Sequence, residues 1–276
     1  IQRYEHHIKK HIGHKNVYEI TKFDIEQILK HMISKGLKPG TVDRIRQTIS
    51  AIFNIGIYHE KCKENPASIS RNDKVSIMRR NKKNINNDRE RYISKSEAEQ
   101  MLHELRLRDE TVYLMALMAL TTGARAGEIL SIKFKDIDYY SGFITLDNTK
   151  NGYSRKIKMT PEVHKLIEAR HQDKANQYLF KTKNNTKLDK IPQTYFTVVE
   201  KLFNKDLETS DSKNRVVFHT LRHTFASWLA LDGVPIFTIQ KLMGHKDINM
   251  TMRYAKLSPD AGVEAVMNIE RSLVGG

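Results

Sequence analysis

The sequence predicts a mainly α-helical fold of two domains, with a small three-stranded antiparallel sheet in the second. Apolar residues recur at helical spacing at both ends of the chain and alternate at a period of two only between residues 132 and 159. A basic stretch without any apolar period, residues 69–91, separates the two parts.

Residues 1–68 read as all helix. Tyr4, His7, Ile8 and His11 share one helical face, and Phe23, Ile25, Ile28, Leu29 and Met32 mark a second helix. Lys38-Pro39-Gly40-Thr41 is turn chemistry, with Thr41 expected to cap a long helix carrying Ile45, Ile49, Ile52, Phe53 and Ile57. In the linker Arg71, Lys74, Arg79, Arg80, Lys82, Lys83, Arg89 and Arg91 face only Asp73, Asp88 and Glu90. A tether this positive is expected to lie along phosphates.

The second domain, residues 92–276, opens with Ser94 and Glu97, three apart as in a capping box, on a helix running to Leu105. An apolar helix follows from Val112 to Leu120. Strands are expected at 132–137 and 142–146 around Asp138-Tyr139-Tyr140-Ser141, and at 155–159 after the hairpin signal Asn151-Gly152. Helices resume near Pro161, around Thr194 to Phe203, and through most of Leu221 to Asn268.

Composition narrows the partner. Lys and Arg number 47 against 32 Asp and Glu, a net +15, which points to a polyanion and first to nucleic acid. The single cysteine, Cys62, excludes an intrachain disulfide, so nothing ties the chain to an oxidising compartment. Its longest apolar run, Tyr113 to Leu120, is too short to cross a bilayer, and no membrane partner is expected. No signal-peptide pattern opens the chain, and Ile1 begins inside a helical pattern, as in a fragment of something longer. A soluble, cytoplasmic, nucleic-acid-facing protein is the expectation.

Two metal patterns fail on inspection. His6, His7, His11 and His14 lack a cysteine or carboxylate cluster to complete a zinc site, and Leu107 stands where His103-Glu104 needs a second histidine. No metal is expected.

Three short segments carry the chemistry. Thr122-Gly123-Ala124-Arg125-Ala126-Gly127-Glu128 places Arg125 and Glu128 on one helical face. Phe218-His219-Thr220-Leu221-Arg222-His223 sets His219 and Arg222 three apart. Gly244-His245 is followed nine positions later by Tyr254, and Lys150 sits at the tip of the expected hairpin. Each histidine alone could be a structural residue, and Arg125–Glu128 an ordinary helical pair. Together, guanidiniums grip a tetrahedral anion, imidazoles move protons, and a phenol supplies a nucleophile. No phosphate-binding loop or carboxylate metal cluster accompanies them, so no cofactor is expected.

This spacing resembles the tyrosine recombinases, or phage-type integrases. The resemblance is specific from Leu120 onward and weak before it. It implies a two-domain clamp on duplex DNA, with residues 1–68 as a helical core-binding domain and 92–276 as the catalytic domain. It also implies a metal- and ATP-independent strand transferase. Tyr254 is the implied nucleophile, becoming joined to the 3′ phosphate. Arg125 and Arg222 are implied to hold the non-bridging oxygens, Lys150 to protonate the leaving 5′ oxygen, His219 to take the tyrosine proton, His245 to donate to the phosphate, and Glu128 to orient Arg125. Thr41, Arg44, Arg79, Arg80, Lys82 and Lys83 are the expected DNA contacts.

The resemblance further implies a homotetramer on specific recombination sites, joined by a C-terminal helix beyond Ser258 that docks in trans. It leaves room for accessory DNA-bending proteins and for a bacterial, phage or mobile-element origin, with the protein associated with the nucleoid. Integration or excision of a mobile element is the first reading. Resolution of chromosome dimers and a type IB topoisomerase-like nicking and closing activity are alternatives. A helix-turn-helix regulator, using Leu221–Leu231 and Ile236–Met243, is the non-enzymatic one.

Overall fold

The computed structural model describes residues 2–69, 91–148, 153–170, 175–208 and 211–259. The chain divides into two compact units, Ile1–Asp88 and Arg89–Gly276.

In the first unit, α1 (Gln2–His7), α2 (Lys9–Ile12), α3 (Lys22–Ser34) and α4 (Pro39–Tyr58) enclose a core of Ile8, Ile25, Leu29, Met32, Val42, Ile45, Ile49 and Phe53. Thr21 starts α3 with a reciprocal cap: its hydroxyl accepts from the Asp24 amide, and the Asp24 carboxylate accepts from the Thr21 amide. Thr41 does not cap α4. The helix begins at Pro39 with Lys38 in the cap position, because proline fits the first helical position, where no amide donor is needed. Thr41 and Arg44 lie on the exposed face of α4, away from the buried row Val42, Ile45 and Ile49. Phe23, Ile52 and Ile57, read as apolar-face positions, are exposed.

The second unit contains α5 (Lys95–Arg108), α6 (Glu110–Thr122), α7 (Ala126–Ile129), α8 (Pro161–Glu168), α9 (Gln193–Val199), α10 (Phe218–Leu231), α11 (Ile236–Met243) and α12 (Asn249–Met252). Ser94 and Glu97 form the expected capping box at the start of α5. Arg91, read with the linker, is held there by a 2.6 Å ion pair to Glu97. Helix α6 is apolar on every side, as a central helix must be, and packs between α5 and α10. The Thr224 hydroxyl accepts from the Ile93 amide, and the Trp228 indole donates to the Ile93 carbonyl, both at 3.1 Å, fixing the start of the unit to α10.

The sheet is antiparallel in the order β1 (Ile137–Asp138), β2 (Phe143–Asn148), β3 (Tyr153–Lys158), with Ile144 opposite Ile157 and Leu146 opposite Arg155. The strand expected at 132–137 shrinks to two residues. Its Phe134 and Lys135 amides donate to the Gln177 and Ala175 carbonyls, and the Asp136 carboxylate accepts from the Lys133 amide, so the backbone turns before it can join β2.

Candidate active site

Two left-handed glycines prepare the site. Gly123 ends α6 at φ +63° and Gly244 ends α11 at φ +61°, a conformation that costs glycine little and other residues much. Space is as tight as geometry: a Cβ on Gly123 would lie 2.5 Å from the Phe225 ring, and one on Gly244 would lie 2.9 Å from Arg155 Nη1.

Arg222 projects from α10 between these two helix ends. Its guanidinium donates to the Gly123 carbonyl through Nη1 and to the Met243 carbonyl through Nη2, the latter at 2.5 Å. Helix C-termini carry the negative end of the backbone dipole, so a cation there is doubly favoured. The side chain is only 2% exposed. Burial, followed by the charges of Arg125 and Arg155, pushes it down to about 9, which leaves it charged at neutral pH.

Arg125 stands at the start of α7, three residues before Glu128. The Glu128 carboxylate accepts from the Arg125 amide at 2.8 Å and from Arg125 Nη1 at 2.7 Å. It also accepts from Arg155 on β3 through Nη1 at 3.1 Å and Nη2 at 3.0 Å. Burial alone would raise the Glu128 pKa; the Arg155 charge and the bonds from Arg125 outweigh it and hold the carboxyl below its ordinary range. One carboxylate thus orients two guanidiniums.

His245 follows Gly244, with its Nδ1 2.9 Å from the buried Thr251 hydroxyl. Burial and the charges of Arg222, Arg125 and Arg155 push it down to about 4, so the ring is neutral at pH 7. Tyr254, 4% exposed, packs on Ala226, Ala230, Ile239 and Met243. Burial pushes its phenol up, and the charges of Arg253 and Arg222 oppose this. Its hydroxyl lies 2.6 Å from His223 Nδ1, while the His219 ring stands edge-on to His223 at 4.8 Å between centroids. The histidine touching the tyrosine is therefore His223, one position beyond Arg222.

Arg125, Glu128, His219, Arg222, His245 and Tyr254 lie in one neighbourhood of the second unit. Lys150 lies outside the described residues, as do Arg79, Arg80, Lys82 and Lys83 and the chain beyond residue 259. The sequence reading missed two members of the cluster. Arg155 shares strand parity with Ile157 and Met159, which placed it on the inward face. His223 is four positions from His219, on the same side of α10. Among the described residues no group of three or more His, Cys, Asp or Glu could hold a metal, and no helix is long and apolar enough to cross a membrane. Guanidiniums, a neutral imidazole and a buried phenol around one point suit an anionic phosphodiester.

A model of the phage integrase family matches residues 91–260, more than half of the chain. The chain belongs to the phage integrase family. A model of the phage integrase central domain matches residues 1–73. The chain is 36% identical over 148 residues to the tyrosine recombinase XerA of Saccharolobus solfataricus, covering 53% of this chain and 46% of that protein. It is 26% identical over 275 residues to XerA of Pyrococcus furiosus, covering 94% and 85%. The integrase of Escherichia phage P2 is 26% identical over 277 residues, covering 96% and 72%. The match thus spans under half the length of the Saccharolobus relative. Among solved structures, the Tn1549 transposon integrase in complex with circular intermediate DNA aligns with a TM-score of 0.68 at 22% identity, covering 93% of this chain and 87% of that one. That likeness establishes the fold, the small sheet on a helical body.

Proposed function

We propose that this integrase-family chain cuts and rejoins duplex DNA at specific sites through a covalent bond between Tyr254 and the 3′ phosphate. The supporting observation is the placing of the Tyr254 phenol in one site with Arg222 and Arg125, groups drawn from residues 125 to 254. The Tyr254 oxygen attacks phosphorus and the bond to the 5′ oxygen breaks. Arg125 and Arg222 neutralise charge on the non-bridging oxygens, His245 donates to one of them, and Lys150 supplies a proton to the leaving oxygen. His219 lies beside His223 and joins the proton transfer at the tyrosine end. The phosphotyrosyl bond conserves the energy of the broken ester, so rejoining needs no nucleotide.

Both domains contact the duplex, with Thr41 and Arg44 of the first and Arg79, Arg80, Lys82 and Lys83 of the linker against phosphates. Four copies assemble on paired sites through trans docking of the helix beyond Ser258. Integration or excision of a mobile element is the role we favour, supported by the likeness to the phage P2 integrase over nearly the whole chain. A bacterial, phage or element-encoded protein acting on DNA in the cytoplasm fits that role.

The test is covalent capture. Wild-type protein and Tyr254→Phe are each incubated with a randomised duplex library, and DNA that stays attached through denaturation is sequenced. Wild type should retain duplexes sharing one site and Tyr254→Phe none; equal retention by both excludes Tyr254 as the nucleophile.

A further inference from the structure

The strand-transfer reading leaves open which group removes the Tyr254 proton. We propose that His223 is the general base for Tyr254, a catalytic residue in its own right, and that His219 acts one step behind it. The inference rests on the proposed strand transfer and deepens it. A base must stand within hydrogen-bond reach of the proton it removes, about 2.6–3.2 Å between heavy atoms. His223 Nδ1 meets this at 2.6 Å from the Tyr254 hydroxyl. His219 instead presents its ring edge-on to His223, 4.8 Å away between centroids.

The local structure enforces the pairing. His223 follows Arg222, whose guanidinium is anchored to the Gly123 and Met243 carbonyls, so α10 cannot rotate to exchange one histidine for the other without breaking those bonds. Tyr254 is seated against Ala226 and Ala230 of the same helix, one turn and two turns beyond His223. One helix thus carries the imidazole and part of the seat of the phenol. Arg253, with its guanidinium 6.0 Å from the Tyr254 ring centroid, is a charged neighbour on the tyrosine segment.

The step balances within the site. In the tautomer with its proton on Nε2, His223 accepts the phenol proton on Nδ1 and becomes imidazolium. The tyrosine oxygen forms its bond to phosphorus, the bond to the 5′ oxygen breaks, and that oxygen takes its proton from the acid at the other end of the site. On rejoining, imidazolium returns its proton to the tyrosine as the phosphotyrosyl bond breaks.

The test uses full-length wild type, His223→Ala and His223→Asn, each with tyrosine or a more acidic difluorotyrosine at position 254. Single-turnover attachment is measured on duplexes captured from the randomised library by the wild type. Asparagine keeps a polar group near the phenol but cannot hold its proton, and binding of the same duplexes confirms folding. Losing a general base should slow attachment by about 10²-fold or more in both variants. With difluorotyrosine the loss should shrink at least tenfold, because a phenol that ionises readily needs less help. A loss equal for both phenols makes His223 a packing residue and overturns the proposal. Variants as fast as wild type overturn it as well, and leave the strand-transfer reading intact. A wild type that attaches to no duplex overturns that reading and, with it, any base for the reaction.

Discussion

Glu128 receives two parallel hydrogen bonds from Arg155, 27 positions away in sequence, at 3.1 and 3.0 Å. The Glu128 side chain is 8% exposed, and the same two oxygens hold Arg125 from the other side. A carboxylate shared in this way fixes the spacing of two cations that would otherwise repel each other.

Glu128→Gln should therefore destabilise the second unit by about 2 kcal/mol, since it strands two guanidiniums around a neutral amide. Arg155→Lys keeps the charge but loses the fork, and should cost less. Covalent attachment should fall further than stability in both, by roughly 10²-fold for Glu128→Gln, because Arg125 loses its aim. Urea unfolding and single-turnover attachment on the same preparations check both halves. As a depressed carboxyl, Glu128 contributes its full stabilisation above its ordinary value of 4.5 and loses it as pH falls through its lower folded value.

Arg222 is structural as well as chemical. Arg222→Ala leaves the Gly123 and Met243 carbonyls without their donor and should lower stability by about 3 kcal/mol. Arg222→Lys should recover part of this, because one ammonium cannot span two helix ends in the way a guanidinium does. Denaturant midpoints read this directly; midpoints matching wild type would show that the carbonyls find other partners.

His245 makes a prediction about acid. Its pKa falls from an ordinary 6.5 to about 4 on folding, so between those values the unfolded chain binds more protons than the folded one. The contribution of His245 to stability therefore declines as pH falls below 6.5 and stops declining below about 4. His245→Gln removes this part of the slope. Urea midpoints at pH 4.5 and pH 7.5 should differ less in the variant than in the wild type, in the absence of DNA.

Lys150 can be separated from the arginines by its leaving group. Replacing the bridging 5′ oxygen with sulfur gives a thiolate, from a thiol of pKa about 8.5, that departs without a proton. Lys150→Ala should lose about 10²-fold or more on the normal duplex and recover most of it on the sulfur one. Arg125→Ala should stay slow on both, since the non-bridging oxygens are unchanged. If sulfur does not rescue Lys150→Ala, Lys156 becomes the next candidate, for Lys158 donates at 2.6 Å to the Ser141 carbonyl.

The parts of the site written in local sequence were legible. Arg125 and Glu128, His219 and Arg222, and Gly244-His245 each lie within one helical turn or cap, where spacing determines geometry. What could not be read depended on contacts across the chain. The 132–137 segment has the alternation of a strand, but its amides are taken by Gln177 and Ala175, some forty residues on. Arg155 was passed over in the hairpin because its partner, Glu128, belongs to another element. His223 was passed over beside Arg222 because its hydrogen bond runs to Tyr254, 31 positions away. Thr41 lost the cap of α4 to Lys38 for a local reason, the preference of proline for the first helical position.

If Tyr254 carries the DNA, mapping the covalent bond will place it there. Wild-type protein is trapped on captured duplex and digested with protease and nuclease, and the nucleotide-linked peptide is sequenced by mass spectrometry. One modified peptide is expected, with a 3′-phosphate ester on Tyr254 and a free 5′ hydroxyl on the released strand. A bond to any other residue, or attachment through a 5′ phosphate, contradicts it.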